Sequence, residues 1–163
     1  MTVGLHNKPK HEQIDLRRFE LEVGVVADQI GTAWSGGEHW NPARIGAVSV
    51  NEKNRAIEEL VNRIYQDTTA HSGTSLGSKG EIRTAALAAR SALQTPSIRA
   101  TICGFLGPLS GKSARDVAVE LAKACVPLVV AGQLAVPASP LVWGLIGFAA
   151  FRIGTVWLCG DKA

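Results

Sequence analysis

Residues 126–151, VPLVVAGQLAVPASPLVWGLIGFAAF, carry no charged side chain. A run of that length has to leave water, and it can do so only inside protein or inside lipid. Pro137 and Pro140 divide it, because a proline in a helix interior removes a backbone hydrogen bond and crowds the preceding turn. The sequence therefore predicts two apolar arms, residues 114–136 and 141–158, joined by a turn into a C-terminal hydrophobic helical hairpin.

Each arm approaches the roughly 20 residues that cross a bilayer, provided that charges are tolerated. The second arm holds nine strongly apolar residues, Leu141, Val142, Leu145, Ile146, Phe148, Phe151, Ile153, Val156 and Leu158. Each favours insertion by about 0.3 to 0.6 kcal/mol, against a cost of about 2.5 to 3.5 kcal/mol for a central Arg152. In the first arm Glu120 and Lys123 shorten the apolar part, and Pro127 and Gln133 weaken it further. This balance points to a hairpin concealed in protein that enters lipid after a conformational change. Ala131 with Ala135, and Ala150 with Gly154, supply small residues at helical spacing for close backbone approach. Trp143 and Trp157 sit near the ends of the second arm, where aromatic belts meet a membrane surface. The residues expected to form this lipid-facing or core hairpin are Val126, Leu128, Val129, Leu134, Leu141, Trp143, Leu145, Ile146, Phe148, Phe151, Arg152 and Trp157.

The preceding part of the chain is patterned as amphipathic helices. Leu16, Phe19, Val23, Val26, Ile30 and Ala33 recur at three- and four-residue steps and predict a helix over 14–34. Phe19, Leu21, Val23 and Val25 also alternate as a strand would, but length and charge placement favour helix. Ile57, Leu60, Val61, Ile64 and Thr68 mark a second helix, with Asn51 as its expected N-cap. Ser78 and Glu81 have capping-box spacing ahead of an Ala-rich helix that Pro96 ends; Ser113 and Asp116 repeat that spacing before the hairpin. The predicted fold is all-α, a helical bundle of five or six helices, with residues 1–110 as a soluble amphipathic region and 111–163 as the hydrophobic hairpin.

Candidate chemistry is sparse. GPLSGKS at 107–113 is one residue short of the phosphate loop GxxxxGK[ST], and no apolar strand ending in Asp follows to hold magnesium, so the segment reads as a capped helix start. The four histidines lie apart in loop-like sequence, without metal-ligand spacing. His39 and Trp40, within GEHWNP, are candidate partner contacts. Cys103, Cys125 and Cys159 form no CxxC pair and read as reduced, buried thiols of a reducing compartment. No catalytic, cofactor-binding or metal residue is nominated.

A formal net charge of +3 arises from 17 basic and 14 acidic residues that are interleaved, so nucleic acid is not an expected partner. Arg83, Arg90 and Arg99, and Glu58, Glu59 and Asp67 on the neighbouring helix, read as solvated faces; the sharper alternative is complementary surfaces in a homo-oligomer. Polar helices followed by a concealed apolar hairpin resemble the general plan of colicin-type pore formers, a likeness of layout without a shared motif. The expected function is that of a non-enzymatic, self-associating, cytoplasmic protein, lodged at the inner face of a membrane in some state, that engages or permeabilises the membrane through its hairpin as a toxin-like or defence effector. The alternative is a soluble all-α adaptor or oligomeric scaffold with the hairpin as its core; a third reading is a small enzyme with an unrecognised pocket.

Overall fold

A computed structural model describes residues 15–35, 49–71, 76–107, 111–154 and 158–159. Six helices run through them: α1 Leu16–Ala33, α2 Val50–His71, α3 Lys79–Gln94, α4 Pro96–Phe105, α5 Ala114–Val130 and α6 Pro140–Ile153. The described residues form no strand, so the all-α expectation holds.

Short polar residues set the helix starts. The Asp15 carboxylate accepts the Arg18 N–H at the head of α1. Capping boxes open α3 at Ser78 and Glu81 and α5 at Ser113 and Asp116, as their spacing predicts. A third box opens α2, where the Ser49 hydroxyl accepts from Glu52 N and the Glu52 carboxylate from Ser49 N. Ser49, not Asn51, is therefore the cap. Pro96 ends α3 and begins α4, since its fixed φ and missing N–H suit the first helical position. Gly132, at φ 81°, closes α5: its N–H and that of Gln133 turn back to the Val129 and Leu128 carbonyls, at 3.0 and 2.8 Å.

The core is continuous from Phe19 in α1 to Leu158 near the C-terminus, and α6 runs through it. Residues 142–150 are buried without interruption, packed against α1, α3 and α5. Two glycines permit that depth. A Cβ at Gly144 would overlap Val26 of α1, and one at Gly147 would overlap the Ala118 backbone of α5. The Trp143 indole is wholly buried and donates from Nε1 to the Pro137 carbonyl at 3.0 Å, so the loop between α5 and α6 satisfies its polar end.

These lengths overturn the membrane reading. The second arm is helical for 14 residues, about 21 Å against a hydrocarbon core of about 30 Å. The helical part of the first arm stops at Val130 and includes Arg115, Asp116, Glu120 and Lys123. Among the described residues no helix is long and apolar enough to cross a membrane. The transmembrane hairpin, the permeabilising function and the likeness to pore formers are withdrawn with it. The physical reason is that residues 131–139 are spent on an irregular connection, and the middle of α6, residues 142–150, is buried by protein.

The cysteines also require correction. Cys103 and Cys159 form a disulfide, and Cys125 alone is a buried thiol. The bond ties the C-terminal turn to α4, while the buried Lys53 ammonium of α2 donates to the Leu158 carbonyl at 3.1 Å. Spacing along the chain hid this pairing, because α5 and α6 lie between the two sulfurs in sequence but not in space.

Candidate functional site

Of the hairpin residues singled out by sequence, Val126, Leu134, Trp143, Leu145, Ile146 and Phe148 are buried in the bundle core. Leu128, Val129, Leu141 and Phe151 pack against its edge. Trp157, together with the proposed partner contacts His39 and Trp40, lies outside the described residues. Arg152 does not reach toward a lipid interface. Its guanidinium lies over the rings of Trp34, Phe148 and Phe151, 5.4 to 5.6 Å from their centroids.

Around Trp34 the structure assembles a polar and aromatic cluster that the sequence did not announce. The Trp34 ring meets Phe148 edge-on at 5.6 Å, with Arg63 on it at 5.8 Å. Asp67 accepts from Ser35 N at 2.8 Å, Ser35 Oγ at 2.9 Å and Arg63 Nε at 3.3 Å. Burial alone would raise the Asp67 pKa, but the Ser35 donors and the Arg63 charge outweigh it and hold the carboxyl below its ordinary 3.8. The cluster fastens the C-terminal end of α1 to α2 and α6. Arg63 and Asp67 are visible as an i,i+4 pair; Ser35 comes from far along the chain and leaves no local signal.

Of the basic and acidic residues proposed as oligomer faces, Glu58, Asp67, Arg90 and Arg99 have partners within the chain, and Arg83 and Glu59 are exposed. Arg90 reaches Glu58 at 3.5 Å, and the buried Arg99 donates to the Leu93 carbonyl at 2.8 Å. In the GPLSGKS segment, whose residues 108–110 lie outside the described residues, Ser113 caps α5 and Lys112 Nζ donates to Glu120 at 2.7 Å. Burial pushes the Cys125 thiol up to about 11, which leaves it a packing residue. Among the described residues no three metal-ligating side chains converge.

The open surface with binding character lies along α1 and the start of α6. One groove, of about 740 Å³, runs between α3 and the loop before α6, floored by Ala85, Ala88 and Val142. A second, of about 480 Å³, runs between α1 and the same loop, past Val25, Val26 and Pro140. Leu76, Ser139 and Leu141 line both, so the two grooves adjoin along these residues, and the pair makes up an apolar trough. Its wall on α1 carries Leu21, 58% exposed, and Val25, 46% exposed. These are the residues whose strand-like alternation with Phe19 and Val23 puts apolar side chains on the second face of α1. The trough is walled by apolar and neutral polar groups with few charges, a surface for an apolar segment.

No protein-family model matches the chain, and neither a curated protein nor a solved structure matches it.

Proposed function

We propose that the chain is an all-α adaptor or scaffold, whose apolar hairpin is its own core and whose trough receives an apolar segment of another polypeptide. The trough beside Leu141 is the observation that carries this reading. Isolated exposed leucines are ordinary on protein surfaces, but here Leu21, Val25, Leu76, Pro140 and Leu141 adjoin one another along a concave path. Rigidity also supports it. The glycine-mediated seating of α6 on α1 and α5, with the cluster at Trp34, holds the walls of the trough in fixed relation, which lowers the ordering cost of binding.

The test is cross-linking from a photoreactive residue at position 141 of the full chain in cells that make it, with the exposed position 83 on α3 as control. Polypeptide adducts from 141 that are missing from 83 are expected. Equal labelling from both positions, or adducts with lipid alone, would overturn the reading.

A further inference from the structure

We propose that the polypeptide seated on α1 is a second copy of this chain, packed antiparallel through the Leu21–Val25 ridge about a two-fold axis; the inference rests on the scaffold reading and names its partner. Leu21 stands between two grooves. One is the α1 side of the trough; the other, of about 320 Å³, lies toward α5 and is lined by Arg17, Glu20, Arg115 and Val119. A ridge with a groove on each flank is the shape that receives another helix of the same kind.

Two charges on α1, Arg17 and Asp28, are placed so that a copy of the helix pairs them. Eleven residues are three helical turns to within about 20°, so Arg17 and Asp28 share one flank of the ridge, and Arg18 and Gln29 share the other. Turning a second α1 end for end about the midpoint of Leu21 and Val25 sets Leu21 against Val25 of the copy. The same rotation brings Arg17 to Asp28 of the copy on one flank and Arg18 to Gln29 on the other. Each pairing occurs twice by symmetry, as an isologous interface requires. Asp28 accepts from Arg115 within its own chain, so this flank meets the incoming Arg17 with a carboxylate held in place. Arg18 is oriented similarly by Glu22, at 3.3 Å.

The outer face of one 18-residue helix is smaller than the about 1,200 to 2,000 Å² of a standard interface, so the association belongs to the transient class. Its strength should depend on the ridge first and the flanks second.

The experiment is sedimentation equilibrium of the full chain at low salt, up to about 0.5 mM. A concentration-dependent dimer is expected. Leu21→Lys should weaken it by about 10-fold or more, since it places a charge at the centre of the contact. Arg17→Glu, facing Asp28 of the copy, should weaken it by about 3-fold. Gln29→Glu should tighten it by about 3-fold by giving Arg18 a carboxylate, a gain that impaired folding would not produce. A chain that stays monomeric at every concentration would overturn the proposal. So would a dimer that neither Leu21→Lys nor Gln29→Glu changes. If either result accompanies adducts from position 141 with a different polypeptide, the scaffold reading stands and only its partner changes.

Discussion

Helices α1 and α6 lie against each other, and both are rich in apolar residues, yet they use them in opposite ways. In α6 every residue from 142 to 150 is buried, and only its two ends reach the surface. In α1 Phe19, Val23, Val26 and Ile30 enter the core while Leu21 and Val25 face water. Apolar content alone therefore separates neither core from surface nor protein from lipid. Neighbours decide: α6 has α1, α3 and α5 around it, whereas the outer side of α1 has grooves.

The largest expected effect strikes the enclosed helix. Gly147→Leu drives a side chain into the Ala118 backbone, which cannot retreat without moving α5. Denaturant unfolding should show a loss on the order of 4 kcal/mol. A variant as stable as the parent would mean that α6 is not enclosed as described.

A smaller effect is expected where α1 is tied down at its end. Asp67→Asn removes the charge that holds Ser35 and Arg63, and should cost about 1 kcal/mol at neutral pH. The Asp67 carboxyl titrates below its unfolded value, so its stabilisation is fully present above about pH 3.8 and fades as the pH falls through the folded pKa. The stability gap between parent and variant should accordingly be level from neutral pH to about pH 5 and close in stronger acid. A gap unchanged there would show that Asp67 acts by packing alone.

The smallest effect belongs to the ridge. Leu21→Ser should leave unfolding of dilute protein within about 0.5 kcal/mol of the parent, because the side chain is already more than half in water. A large loss would place Leu21 in the core of the single chain and erase the contrast between the two faces of α1.

The helix plan was legible for local reasons. Capping boxes at Ser78 and Ser113 act over three residues, and the stripe through Phe19, Val23, Val26 and Ile30 follows from the helical period. The cap of α2 is Ser49, two residues before the expected Asn51, and its capping-box spacing to Glu52 is as local a signal as the others. The candidate surface was legible only in part. The second apolar face of α1 was present as the alternation through Leu21 and Val25, but its meeting with Leu76 and Leu141 is made by segments remote in sequence.

By itself the sequence determined that residues 126–151 must leave water and that two prolines break them into separate arms, since solvation and backbone sterics act on each residue wherever it lies. Tertiary structure alone decided where that surface goes. Gly144 and Gly147 admit Val26 and Ala118, Trp143 finds the Pro137 carbonyl, and Cys103 meets Cys159. Those partners are distant along the chain or held in place by the rest of the bundle. Burial depends on what surrounds a side chain after folding, and a linear pattern records only what the side chain is.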